Sequence, residues 1–192
     1  MKLIDLSNDL GTTLTSYSRK VLEEYINNSR TLEPLFNPEI LEEKAGIFCT
    51  LRKNKQLRGC IGFPYPSHKL GDALVKSTIQ AAVHDPRFNP VKPSELNQIE
   101  IELTVLTPPE LIKVRDSDEY VKIIKIGIDG LIIESGQRRG LLLPQVPVEQ
   151  QWTMEEFLEG ICHKAYLPRD AWKDVERVKL YKFQGKIFEE EK

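Results

Sequence analysis

Residues 99–107 read IEIELTVLT, where Ile99, Ile101, Leu103 and Val105 alternate with Glu100, Glu102 and Thr104. A period of two sends successive side chains to opposite faces of a strand, so one face can join a core while the other stays polar. A half-polar strand fits an antiparallel sheet, because parallel sheets covered on both faces are built from continuously apolar strands. The stretch GIFCTLRKNKQLRGCIG, 46–62, reads as two more strands around a polar Asn54-Lys55 turn, with Ile47, Cys49 and Leu51 alternating on the first arm. An even loop centred on that turn places Cys49 opposite Cys60 unless a one-residue bulge intervenes. In that register the two thiols are a candidate redox pair.

Helical spacing appears elsewhere. Leu14, Tyr17, Val21, Leu22, Tyr25 and Ile26 recur at steps of three and four, and LGDALVKSTIQAAVHD, 70–85, repeats the pattern up to Pro86. DSDEYVKII predicts a short helix, and Thr153 with Glu156 has the capping-box spacing that opens another in TMEEFLEGICHKAYL. DPRFNPVKPSEL reads as a loop, and GLIIES and LLLPQ read as a hairpin across GQRRG. VERVKLYKFQGKIFEE predicts a last strand or hairpin around Gly185. Hairpins mixed irregularly with helices give an α+β class, a mainly antiparallel sheet with packed helices. No Gly-rich phosphate loop of either common spacing is present.

A chain of 192 residues with net charge -2 and 40% hydrophobic residues fits one large domain, or two small lobes sharing a core. Cys49, Cys60 and Cys162 lack the C-x-x-C spacing of a zinc site or a disulfide framework, so the expectation is reduced thiols, no metal and no cofactor. His163 follows Cys162 directly, and on a helix the two point about 100° apart, so they share no ligand face. MKLIDLSNDL has neither a signal-peptide nor a transit-peptide pattern, and no apolar run is long enough for a bilayer; a cytoplasmic protein without a membrane partner is expected. With a pI near 6.0, the basic run RKNKQLR is read as a solvated hairpin tip and nucleic acid is not an expected partner.

Three blocks, LRGCIGFPYP at 57–66, HDPRFNPV at 84–91 and GLLLPQVPVEQQWTMEEFLEGICHKA at 140–165, together resemble the AMMECR-one family in its stand-alone archaeal or bacterial form. The resemblance covers most of the chain. It implies a single domain over 1–192 in two unequal, intimately packed lobes with the LRGCIG motif between them, and no particular reaction. It also implies a pathway link to a Memo-type protein and a radical S-adenosylmethionine enzyme. One departure is the KAYL at 164–167, where KAGL is more usual in the family, so Tyr166 narrows or fills space at that helix end.

The residues themselves suggest a site. Gly59 and Gly62 frame Cys60, let backbone approach closely and can expose amide donors, and Arg58 supplies a cation that favours a thiolate. The alternative is a small buried residue in a tight strand. A nucleophilic cysteine needs a base, and His84, beside Asp85 and Arg87, is the candidate; it equally suits a helix C-cap, with Asp85 and Arg87 paired in the loop. Glu102 either faces water or enters a polar cleft. Pro144 and Pro147 make LPQVPVEQQW a rigid extended loop in which Gln145, Glu149 and Trp152 line a pocket or serve only to pack. Two readings stand. One is an enzyme using Cys60 in an inter-lobe cleft on a small anionic or carbonyl-containing substrate. The other is a non-catalytic module that grips a metabolite, peptide or protein through Arg52, Arg58 and Trp152.

Overall fold

The computed structural model describes residues 6–35 and 37–191; the first five residues of MKLIDLSNDL lie outside the described residues. The elements in chain order are α1 (Asn8–Asn28), β1 (Gly46–Lys53), β2 (Gln56–Phe63), α2 (Leu70–Val83), β3 (Ile99–Leu106), β4 (Glu110–Leu111), α3 (Tyr120–Ile123), β5 (Gly130–Ser135), β6 (Arg138–Leu142), α4 (Val146–Glu149), α5 (Met154–Lys164), β7 (Lys179–Phe183) and β8 (Gly185–Glu189). Two compact units result. One comprises the chain up to Pro108 together with the segment from Lys186 onward, and the other Pro109–Gly185. The class is α+β with antiparallel pairing, as the alternation in β3 predicts.

In the first unit the sheet order is β2-β1-β3-β8. The hairpin turn has Asn54 at φ 51° and Lys55 at φ 62°, the paired left-handed geometry of a two-residue loop whose twist matches its strands. Ile47, Cys49 and Leu51 of β1 and Ile99, Ile101, Leu103 and Val105 of β3 form one core with residues of α1 and α2. Ser7 caps α1, its side chain accepting from the Leu10 amide. The outward face of the same strands carries Phe48, Thr50 and Arg52 on β1 and Glu100, Glu102 and Thr104 on β3, as period-two alternation requires.

The register within the hairpin departs from the unbulged expectation. Near the turn, Arg52 pairs with Leu57 and Lys53 with Gln56; beyond it Leu51 pairs with Gly59 and Thr50 with Cys60. Arg58 is the extra residue of a β-bulge. Cys49 therefore lies opposite Ile61, and Cys60 opposite Thr50, so the two thiols point to opposite faces and the Cys49/Cys60 pair is corrected. All three cysteines are free.

The second unit holds the sheet β4-β7-β5-β6. Its core gathers Leu131, Ile133 and Leu180 with Phe157, Leu158, Ile161 and Cys162 of α5 and with Tyr120. The capping box at Thr153 and Glu156 is formed. Three expectations are revised. β7 and β8 are not a hairpin, since β7 lies between β4 and β5 and β8 beside β3 in the other sheet. LPQVPVEQQW is not wholly extended: Pro147 sits in the first turn of α4, where its missing N–H is not required. Pro93–Gln98, in the expected loop, forms a 3-10 turn. No helix among the described residues is long and apolar enough to cross a membrane.

Candidate functional site

The bulge at Arg58 determines what LRGCIG presents. Gly59 is buried on the helix side of β2, where a Cβ would overlap the carbonyl oxygen of Ala81 on α2; only glycine lets helix and strand approach so closely. Gly62 plays the same part against the Ile47 carbonyl and the Phe48 ring. Cys60, one residue beyond Gly59, is half-buried on the opposite face, away from α1 and α2. Its Sγ lies 3.3 Å from Thr50 Oγ1. Thr50 pairs in turn with Glu102 on β3. A thiol, a hydroxyl and a carboxylate thus occupy one rung across β2, β1 and β3, because facing residues of antiparallel strands share a face.

The edge of β2 at Cys60 is closed by the loop after α2. The Cys60 amide donates to Asp85 Oδ2 at 2.8 Å, and Arg87 Nη2 donates to the Cys60 carbonyl at 3.3 Å. Arg87 also binds Asp85 through Nε at 2.9 Å and Nη2 at 2.7 Å. Asp85 is 4% exposed. The Arg87 guanidinium holds its carboxyl well below the usual carboxylate range, against the opposing effect of burial. The two side chains occupy the positions a neighbouring strand would take, which blocks pairing at this edge and fixes the peptide on either side of Cys60.

Arg58 is placed otherwise than its proposed role requires. Its Nε and Nη2 donate to Glu95 at 3.1 and 3.0 Å, and Lys53 Nζ joins the same carboxylate at 3.0 Å. Hydrogen bonds from Arg58, then the Lys92 amide and Lys53, draw Glu95 down to about 2. The guanidinium also lies 6.0 Å from the Phe88 ring centroid, with that of Arg87 at 5.6 Å. The cation assigned to the thiol is engaged by Glu95. The Cys60 amide, assigned to an anion, is bound to Asp85.

His84 caps the C-terminus of α2, is exposed, and its ring has no hydrogen-bond partner among the described residues. The C-cap alternative describes it, and Asp85, expected to orient the imidazole, is bound to Arg87 and Cys60 instead. The side chain against the Cys60 thiol is Thr50, which sequence reasoning missed; the bulge that brings them together leaves no compositional mark.

Glu102 does enter a polar cleft. Arg52 Nη2 donates to its Oε2 at 3.2 Å, and both line a cavity of about 550 Å³ with Lys55, Glu100, Glu189 and Glu190. Glu190 is itself held by Arg19, whose Nε donates at 2.7 Å. The cleft adjoins the Cys60 rung through Glu102.

The remaining predicted residues lie in the second unit. Gln145 and Glu149 are exposed and separate from the pocket that contains Trp152. Trp152 lies instead along α5, over Gly160. Cys49 and Cys162 are core thiols, pushed up to about 12 and about 11 by burial. No group of three or more His, Cys, Asp or Glu suited to a metal occurs among the described residues.

Comparison with known proteins agrees in extent and fold. The AMMECR1 family model matches residues 15–188. A protein of Methanothermobacter thermautotrophicus is 47% identical over 192 residues, covering 100% of both chains. One of Methanocaldococcus jannaschii is 50% identical, covering 99% of this chain and 94% of its own. A crystal structure of an uncharacterized protein from Pyrococcus horikoshii superposes with a TM-score of 0.82 at 47% identity, over 97% of this chain and 94% of that one.

Proposed function

The chain belongs to the AMMECR1 family, and from that premise we propose that it binds a small polar ligand on the outward face of its first sheet, with Cys60 Sγ as the contacting thiol. The observation that carries this reading is the Cys60, Thr50 and Glu102 rung beside a cavity of about 550 Å³. Such a volume suits a metabolite-sized ligand. The expectation of an anionic substrate rested on Arg58 and the amides around Gly59 to Gly62; Arg58 is ion-paired to Glu95 and the Cys60 amide donates to Asp85. Counting the Arg19 that holds Glu190, the carboxylates Glu100, Glu102, Glu189 and Glu190 still outnumber the cations Arg19, Arg52 and Lys55, which favours a ligand bearing an amine or guanidinium.

The second reading, covalent chemistry at Cys60, draws on the Thr50 hydroxyl at 3.3 Å, which can donate to a thiolate. The side-chain partner of that thiol is Thr50, and His84 makes no hydrogen bond to it among the described residues.

A thermal-shift screen of small amines, guanidines and zwitterions tests both readings on the parent, Cys60→Ala and Glu102→Gln proteins. The expected result is a stabilising ligand whose effect disappears in Glu102→Gln. Its persistence in Cys60→Ala supports a binding module; its loss there, with an adduct on Cys60 in the parent by mass spectrometry, supports thiol chemistry. Ligand stabilisation undiminished in Glu102→Gln would contradict the proposed location.

A further inference from the structure

The second unit carries a separate cavity of about 430 Å³ along α5, lined among others by Trp152, Gly160, His163, Lys164 and Arg169. Its floor depends on a glycine. Gly160 lies within α5, where glycine costs roughly 1 kcal/mol relative to alanine. A Cβ there would lie 2.6 Å from Trp152 Cζ3 and 2.9 Å from Cη2, so the missing side chain lets the indole rest on the helix backbone. Trp152 is half-buried and lines the cavity, so aromatic surface remains open to an occupant.

Charge gives the trench a direction. The Glu156 carboxylate accepts from the Thr153 amide at 2.7 Å and hydroxyl at 3.0 Å, so it serves the helix cap. Glu159 lies 3.8 Å from Arg169. Lys164 and His163 have no ion-pair partner among the described residues, and both are exposed. Gly160, His163 and Lys164 share one stripe of α5, and four residues at the helical rise set Lys164 about 6 Å along the axis from Gly160.

We infer that this trench binds an arylalkanoate: a planar aromatic ring stacked on the Trp152 indole, with a carboxylate received by Lys164 and His163 about one helical turn away. A linker of one or two methylenes lets the ring stay flat on the indole while the carboxylate turns toward the exposed Lys164 side chain. Ring stacking supplies affinity that tolerates ring identity, and the charged contact supplies orientation.

The test is titration of the full chain with 3-phenylpropionate, followed through the indole N–H signals of its two tryptophans, assigned with Trp152→Phe. The Trp152 signal is expected to shift saturably at millimolar concentration or below while that of Trp172, 5% exposed, stays in place. 3-Phenylpropanamide, lacking the charge, and butyrate, lacking the ring, should each bind about tenfold more weakly, as should the acid to Lys164→Gln. Gly160→Ala should abolish the shift while leaving the fold intact, since alanine favours the helix and displaces the indole. A non-saturating Trp152 signal, equal movement of Trp172, or equal affinity of acid and amide would overturn the inference. So would unchanged binding by Lys164→Gln, whose exposed position leaves folding unaffected.

Discussion

Cys49 and Cys60 sit on neighbouring strands of one sheet, one rung apart, yet their surroundings differ. Cys49 is 0% exposed among Ile47, Leu51 and the helices, and burial pushes its thiol up to about 12. Cys60 is half-buried on the other face beside Thr50. The same hairpin without the bulge at Arg58 would turn Cys60 inward, because a one-residue shift exchanges every side chain between faces. The lesson is that residue type alone assigns neither thiol its role. The register does, and in this hairpin one unpaired arginine sets it.

The largest test of that contrast falls on the glycine beside the thiol. Gly59→Ala forces a Cβ into the Ala81 carbonyl, and a backbone atom in a packed helix yields little, so a loss of about 3 kcal/mol or more in denaturant unfolding is expected. Cys60→Ser, on the outward face, should change stability by less than about 1 kcal/mol. Comparable losses in the two variants would mean that Cys60 is packed as tightly as its neighbour.

An intermediate effect is expected at the clips on either side of the motif. Asp85→Asn removes the charge that holds Arg87 and the Cys60 amide, at a cost of about 2 kcal/mol. The pH dependence has a definite sign. Glu95 is held at about 2, below its unfolded value of about 4.3, so its contribution is complete above pH 4.3 and is lost as pH falls toward 2. Asp85 is depressed in the same sense. Chemical denaturation across acid pH should therefore show a smaller loss of stability for Glu95→Gln than for the parent. Parallel profiles would remove the Arg58 and Lys53 contacts from the account.

The smallest effect is reserved for the rung itself. Thr50→Val keeps the volume, removes the hydroxyl and should shift stability by under about 1 kcal/mol. It should also change the alkylation rate of Cys60 while leaving that of Cys49 unaffected. Equal rates in parent and variant would show that the 3.3 Å contact has no influence on the thiol.

Much of the fold was readable because it follows from repetition. The alternation in 99–106, the helical spacing of α1 and α2, the Asn54-Lys55 turn and the Thr153 capping box each depend on local geometry that residue type reports directly. The bulge was not readable, since Arg58 is neither a glycine nor a turn former and its displacement is stabilised by Glu95, thirty-seven residues away. The exchange of sheets between β7 and β8 was hidden for a similar reason: Gly185 permits a hairpin, and only the cores on either side decide against one. Within the site, Cys60 and Glu102 were marked by glycine framing and by strand parity. Arg58, Asp85 and Arg87 were marked as charged, but the sequence does not show that their charges satisfy one another. Tyr166 does not narrow or fill space at the end of α5 as expected: it is 88% exposed, and it holds φ 57°, a conformation that suits glycine.

The most direct measurement is the rate at which each of the three cysteines is alkylated in the native protein, resolved by peptide mass spectrometry. Cys60 should react first, and Cys49 and Cys162 only as fast as the protein unfolds, because both lie 0% exposed in their cores. Alkylation of Cys49 at the rate of Cys60, or a Cys60 as unreactive as Cys49, would contradict the bulged register and with it the proposed site.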